Sequence, residues 1–387
     1  MQAGVSNRVL HVAALPFPSY QGTQAAIKHM LEAMSAHGYD VHLLCYPHHA
    51  YIAAFPFHIH RVASLVANES LRSGPSWRKL LQDAQLSLAI HRLCKRLNPR
   101  YVIAHHVEAA AAAIASGIQP IFVAHTRLEE ELPSYFSRRW RSTVSWAGFI
   151  GEAALIGKAS RCAAVAPRLA QDLERRYGKR VDYVPVPWPL ADPIGVEERH
   201  KARIRYGFGP AERIMLYMGN LDPYQGYEAL LFCLYQLRAS GYALYLLVAT
   251  ESSPNPLLRL ARAHGLTPYI RVTHLRGEHQ RRLLSACADV VVIPRLMDTG
   301  IPIKLLDALS RGVPVACAKS GTGGLALDRM GAVHIAEHPT TESMVTAIER
   351  ALCNHPEAAQ IEQNRAFITK HHSQNAFLEA LCRIIPS

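Results

Sequence analysis

The chain has 387 residues, 49% of them apolar, with 42 lysines and arginines against 30 acidic residues and a formal net charge of +12. It is too long for one ordinary core and too apolar for a disordered chain, so two globular domains are expected. No run is long and apolar enough to span a bilayer, and Met1 to Arg8 lacks the apolar stretch of a secretory leader, so the expected compartment is the cytoplasm.

The positive balance suits anionic substrates or an anionic membrane surface. The basic residues form no recognisable nucleic-acid module, and nucleic acid is not expected as a partner. The eight cysteines (Cys45, Cys94, Cys162, Cys233, Cys287, Cys317, Cys353 and Cys382) are dispersed, without ligand-spaced pairs. Free thiols in apolar segments account for them better than a disulfide framework or a zinc site.

Along the chain, Val9 to Leu15 reads as a strand, Pro16 to Gln24 as a loop carrying Gly22 and Thr23, and Ala25 to His37 as a helix, followed by a strand at Val41 to Cys45. Alternation continues with a helix near Trp77 to Leu97, a strand at Tyr101 to Ala104, a helix near Glu108 to Ser116, and strands at Ile121 to Ala124 and Cys162 to Val165. The proline-rich Val184 to Pro189 resists both helix and central strand and marks a domain boundary. Beyond it the rhythm repeats, with strands at Ile214 to Met218, Tyr242 to Ala249, Ile270 to Val272, Val290 to Ile293 and Val313 to Ala316. The intervening helices fall at Tyr227 to Ser240, Asn255 to His264, Gln280 to Ala286 and Lys304 to Leu309. This is the pattern of two α/β domains with parallel sheets, whose shared cleft is the default ligand site. The expected domains are residues 1–188 and 189–360, with a helical segment 361–387 packing back on the first.

The most informative stretch runs from Pro294 to Val315. It places Lys304 and Asp307 three residues apart near the start of a helix that follows a strand, where open α/β sheets bind ligands. An anion would find there a cation and unpaired backbone donors. An acidic residue in an early helical turn also simply complements the helix dipole.

The order of these segments closely resembles the retaining glycosyltransferases of the GT-B fold, in particular family 4. In that family a glycine-bearing loop opens the chain, a strand ends in Gly-Arg-Leu followed by Lys-Gly, and a later loop and helix carry two glutamates separated by seven residues. The resemblance implies two Rossmann-like domains facing across a cleft, a nucleoside-diphosphate sugar as donor, and no metal or other cofactor.

Here the strand-end motif reads Met218-Gly219-Asn220-Leu221-Asp222-Pro223-Tyr224-Gln225-Gly226, so Asn220 and Gln225 stand where the family has the arginine and lysine that grip the diphosphate. Amides keep hydrogen bonding but lose charge-assisted contacts, which leaves phosphate neutralisation to Lys304, the helix N-terminus and Arg295. The glutamate pair aligns with Thr299 and Asp307. The resemblance implies that Asp307 holds the ribose hydroxyls and that Thr299 cannot supply the charge its counterpart brings to the sugar. It implies donor contacts for Gly22, Thr23, Gly219, Gly300, Ile303 and Leu305 as well, and for His125 a contact with the donor sugar; Gly22 has the alternative reading of a plain strand-to-helix turn, and His125 that of a structural hydrogen-bonding residue.

Adjacent His105 and His106 are weak candidates for a metal, because consecutive side chains diverge. Thr126 and Glu129 read as helix caps, and Glu129 to Glu131 as solvent-facing or acceptor-binding. Tyr135 to Ile150 combines arginines with aromatic residues; it reads either as a packed helix with a basic end or as a contact with an anionic membrane at its inner face.

The implied reaction is transfer, with retention, from the nucleotide sugar to a glycan, lipid-linked or small-molecule acceptor, with His125, Lys304 and Asp307 as the catalytic set. A nucleotide-sugar epimerase and a noncatalytic scaffold are the alternatives on the same architecture.

Overall fold

A computed structural model describes residues 7–19, 22–47, 54–62, 77–297, 300–328, 330–354 and 356–385. Two compact units divide the chain. One comprises Met1–Ser19, Thr23–Pro187 and Gln374–Ser387, and the other Tyr20–Gly22 and Trp188–Ser373.

The first unit is built on strands β1 (Arg8–Pro16), β2 (Asp40–Tyr46), β3 (His58–Arg61), β4 (Tyr101–His105), β5 (Ile121–Ala124), β6 (Arg161–Ala164) and β7 (Val181–Tyr183). All neighbours pair in parallel, in the order β3-β2-β1-β4-β5-β6-β7. Helices cover such a sheet on both faces, which is why β1 and β2 are near-continuous apolar runs with almost every residue buried. The helix Gly22–Ala36 supplies Ile27, Met30, Leu31 and Met34 to that core.

The second unit repeats the plan with β8 (Arg213–Met218), β9 (Leu244–Ala249), β10 (Ile270–Thr273), β11 (Val290–Ile293), β12 (Val315–Ala318) and β13 (Val333–Ala336), ordered β10-β9-β8-β11-β12-β13 and again parallel. Its core packs Met215, Tyr217, Leu246 and Val290 against Leu230, Leu234 and Ile348. In both sheets the strand order reverses beside the first strand, between β1 and β4 and between β8 and β11. The carboxyl ends of strands at such a reversal open a crevice for ligands.

Several local expectations change. The helix after β1 opens at Gly22, so Gly22 and Thr23 are its first two residues and not part of the preceding loop. The C-terminal segment expected to act as one piece is split: the helix Ala358–His371 stays in the second unit, where Arg365 donates to Ser310 O at 3.1 Å, whereas the first unit takes up Gln374 onward, with Arg161 donating to Arg383 O at 2.8 Å. Not all thiols are buried: Cys94 is half-buried, and Cys353 and Cys382 are exposed. Among the described residues no helix is long and apolar enough to cross a membrane.

Candidate functional site

In the second unit the residues expected to hold a donor gather at the ends of β8 and β11. Lys304 is the second residue of the helix Ile303–Arg311. Its Nζ donates to Gln225 Oε1 at 3.3 Å and sits 3.9 Å from the centre of the Tyr217 ring. Gly219 follows β8 at φ +141°, and a Cβ built there would come within 3.3 Å of Lys304 Nζ, so glycine makes room for the ammonium. Tyr217 is fully buried and donates its hydroxyl to Asn220 O at 2.5 Å, which pins the turn.

The two amides of the strand-end motif do different work. Gln225 orients Lys304, whereas the Asn220 side chain donates to Asp222 Oδ2 at 2.6 Å and shapes its own loop. Gly226, at φ +71°, brings this loop against the one after β11: a Cβ there would lie 2.0 Å from Pro294 O, and Leu296 N–H donates to Tyr224 O at 3.0 Å.

Arg295 leaves the end of β11 and is buried, with its guanidinium 5.7 Å from the Tyr224 ring centre and its Nε lacking a hydrogen-bond partner. Among the described residues neither Lys304 nor Arg295 has a carboxylate in ion-pair range. Burial, reinforced by Arg295, lowers the Lys304 pKa to about 7. These two neighbouring basic side chains lie at the strand-order reversal with no carboxylate counter-ion among the described residues.

Asp307 lies one turn further along the helix and is buried. Its Oδ1 accepts from Arg311 Nε at 3.2 Å and from the other Arg311 nitrogen at 3.1 Å, while its Oδ2 has no partner. Arg311 also donates to Glu278. Gly300 adopts φ +72° ahead of the helix, and Ile303 begins it. Leu305 is fully buried and gives its N–H to Pro302 O at 2.8 Å, which leaves it no donor for a ligand; its part is packing. Thr299, like Asp298, lies outside the described residues.

In the first unit the neighbouring strands β1, β4 and β5 bring imidazoles together. His11 on β1, His105 at the end of β4 and His125 after β5 form a chain, His11 Nδ1 to His105 Nε2 at 3.0 Å and His105 Nδ1 to His125 Nε2 at 3.1 Å. His106, at φ +69°, stacks on His125 with ring centres 4.6 Å apart. Burial holds all three members of the chain neutral, pushing His11 to about 3 and the other two well below the usual imidazole value.

A neutral imidazole has one N–H, and His105 uses both ring nitrogens, so the proton positions are coupled. His11 Nε2 is buried without a partner. A buried bare lone pair is better tolerated than a buried unpaired N–H. The favoured arrangement has His11 and His105 each donating from Nδ1, which leaves His125 with its proton on Nδ1.

The segment after His125 is also fixed by charge. Glu129 pairs with Arg127 and Arg176, Glu130 with Arg127, and Glu131 accepts from Thr126 and from Tyr135 OH at 3.1 Å. None of the three is a free solvent-facing group, and neither Thr126 nor Glu129 caps the short helix that begins at Leu128. Fully buried Glu152 anchors the segment by accepting from Leu128 N–H at 3.0 Å and Tyr177 OH at 2.8 Å. The helix Arg141–Lys158 that carries Glu152 exposes Trp146 and Ile150, and Trp140 is exposed just before it. Beside Trp146 is a shallow depression of about 400 Å³, lined by Glu129, Ser142, Ser145, Phe149 and Arg176.

Comparison with known proteins agrees with this architecture. The family described as Glycosyltransferase Family 4 matches residues 20–187, and that described as Glycosyl transferases group 1 matches residues 212–354. The chain is 29% identical over 184 residues to a D-inositol 3-phosphate glycosyltransferase of Nocardia farcinica, covering 44% of this chain and 40% of the relative. It is 26% identical over 248 residues to the protein of the same description from Rhodococcus erythropolis, covering 60% and 55% respectively. The chain thus spans about half the length of the curated relatives it matches.

Among solved structures, sucrose-phosphate synthase from Thermosynechococcus elongatus superposes with a TM-score of 0.79 at 14% identity over 98% of both chains. WaaG, a glycosyltransferase involved in lipopolysaccharide biosynthesis, gives 0.74 at 16% identity over 98% of this chain and all (100%) of its own. Anabaena HepE in complex with UDP and glucose gives 0.70 at 14% identity over 98% and 99%. At such identities the likeness is one of fold. The chain has the GT-B fold and is related to the glycosyltransferases of family 4.

Proposed function

We propose that the protein transfers a glycosyl group from a nucleoside-diphosphate sugar to a glycan, lipid-linked or small-molecule acceptor, with retention at the anomeric carbon and without a catalytic metal. The observation that carries this reading is the pair of buried or half-buried basic side chains, Lys304 and Arg295, with no carboxylate among the described residues to neutralise them. An unpaired cation in a protein interior is costly, and such sites are kept where a ligand supplies the missing charge.

In this reading the diphosphate lies against Lys304, with Gln225 setting the ammonium and the glycine at 219 allowing close approach. The unpaired Asp307 Oδ2 accepts from a ribose hydroxyl, which satisfies an otherwise orphaned buried acceptor. His125, oriented by His105 and His11, addresses the transferred sugar with its Nδ1–H. As the anomeric carbon–oxygen bond breaks, negative charge grows on the departing diphosphate, and Lys304 and Arg295 stabilise it there. The acceptor oxygen bonds to the same face of the anomeric carbon, and its proton passes to the departing diphosphate oxygen. No side-chain nucleophile is required.

The exposed Trp140, Trp146 and Ile150, beside Arg138, Arg139 and Arg141, support peripheral contact with an anionic membrane, which suits a lipid-linked acceptor. The protein is accordingly assigned to the cytoplasm or to the inner face of its membrane.

The test is incubation with a panel of nucleotide sugars and acceptors, followed by product analysis. Release of nucleoside diphosphate that depends on an acceptor supports transfer. Conversion of donor without acceptor would indicate an epimerase, and absence of turnover across the panel a noncatalytic protein.

A further inference from the structure

At the opposite, amino-terminal ends of the first sheet lies a second constellation. Asp40 is the first residue of β2, and His42 follows two positions on, on the same face. His42 is paired in register with His58 on the edge strand β3, and His60 lies two residues beyond His58. Asp40 Oδ1 is 3.0 Å from His42 Nε2 and 3.9 Å from His58 Nε2, and the three potential ligand atoms all lie within 4.8 Å of one another.

His42 is more than nine-tenths buried, yet its Nε2, aimed into this group, makes no hydrogen bond: the nearby Asp40 oxygen is outside hydrogen-bonding geometry. A buried ring nitrogen without a hydrogen bond of good geometry, facing a carboxylate and a second imidazole, is the donor set of a divalent metal site, in which the ion takes the place of the ion pairs that protonated imidazoles would make with Asp40. The supporting shell is present too. Arg8 Nε holds the other Asp40 oxygen at 2.6 Å, and His42 Nδ1 meets His60 Nε2 at 2.9 Å.

We propose that Asp40, His42 and His58 bind one late divalent transition ion of the zinc class, with a water in the fourth position. Imidazole and carboxylate suit zinc, and the two separations from Asp40 Oδ1, 3.0 and 3.9 Å, bracket the spacing of about 3.3 Å that a tetrahedral ion at about 2 Å from each ligand requires. Binding places the His42 proton on Nδ1, donated to His60, and frees the Nε2 lone pair. His60 then carries its proton on Nδ1, and exposed Arg96, whose guanidinium sits 3.4 Å from that atom, swings aside. Arg8 stays on Asp40 Oδ2 and tempers the charge of the carboxylate.

The site is structural. It is at the wrong end of the strands for the donor chemistry, and among the described residues β3 pairs only with β2, so the ion staples a four-residue edge strand to the sheet. It leaves the metal-independent transfer reading untouched.

Untagged, chelator-treated protein is titrated with zinc by calorimetry and with cobalt by visible absorption, in parallel with His58→Ala and Asp40→Asn. His58 is exposed and Asp40 only partly buried, so both variants should fold, as checked by circular dichroism. The expected result is one equivalent bound in the parent, tetrahedral cobalt bands, at least about tenfold weaker binding in each variant, and a zinc-dependent rise in Tm that only the parent shows. Uptake that is unchanged in either variant would assign the metal to other histidines and overturn the site, as would absence of uptake at micromolar zinc.

Discussion

The two sheets end in opposite electrostatic solutions. On β1, at the end of β4 and after β5 of the first, three neutral imidazoles form a hydrogen-bonded chain that leaves His11 Nε2 bare, and Glu129, Glu130 and Glu131 are matched by arginine, tyrosine or threonine. At the carboxyl ends of the second, Arg295 and Lys304, whose pKa burial lowers to about 7, stand without a carboxylate partner among the described residues. The first arrangement is largely matched within itself; in the proposed reading it holds geometry, and the second is completed by an anion. The contrast is then between a region that positions and one that binds.

Substitution tests that separation directly. Replacing Lys304 with methionine should lower kcat/KM for the nucleotide sugar by about 10²–10³-fold, the usual consequence of deleting one donor to a developing oxyanion. The same change should leave Tm equal or higher, because it removes a buried amine that has no counter-ion among the described residues. A loss of activity below tenfold in steady-state assays would break the comparison. His105→Leu should do the reverse in kind: it strands ring nitrogens of His11 and His125, and should cost about 1–3 kcal/mol of stability in denaturant titration. In the parent, nitrogen NMR of labelled histidine should find the His125 proton on Nδ1, and a proton on Nε2 would reject the proposed chain direction.

The pH dependence of stability sharpens the contrast further. His11, His105 and His125 have folded pKa values below the unfolded one, so the unfolded chain binds more protons as pH falls. Stability should therefore drop from about pH 6.5 towards pH 3, by up to about 1.4 kcal/mol per pH unit for each group. Lys304 has the same sign in a different window: stability should rise from about pH 7 towards its ordinary value of 10.5, and Lys304→Met should abolish that rise. The smallest expected effect concerns the surface. Trp140→Ala with Trp146→Ala should weaken binding to anionic vesicles by about tenfold in co-sedimentation, and unchanged binding would remove this face from the membrane reading.

Much of this was legible in the residues, but unevenly. Strands such as Ile121–Ala124 and Val290–Ile293 and the helix Trp77–Leu97 stand out because buried parallel strands are apolar runs and helices keep their period. Lys304 and Asp307 are placed by one contiguous motif. The strand His58–Arg61 was hidden because an exposed edge strand needs no apolar run, and the helix Val196–Arg205 because it is almost wholly charged. Three-dimensional adjacency was the harder loss. His11, His105 and His125 meet only because β1, β4 and β5 are neighbours, and nothing local announces that order. Likewise, that Gln225 would serve Lys304 while Asn220 would turn to Asp222 depends on loop geometry that composition does not encode.

The central claim, that Lys304 awaits a diphosphate, is tested most directly by calorimetric titration with UDP, ADP and GDP at pH 8 in buffers of different ionisation heat. With its pKa near 7 the free lysine is mostly neutral there, and an anion should recharge it, so binding should take up close to one proton and weaken as pH rises above 7. Proton uptake should vanish in Lys304→Met together with most of the affinity. Tight nucleotide binding without proton uptake, equally strong in that variant, would contradict the account.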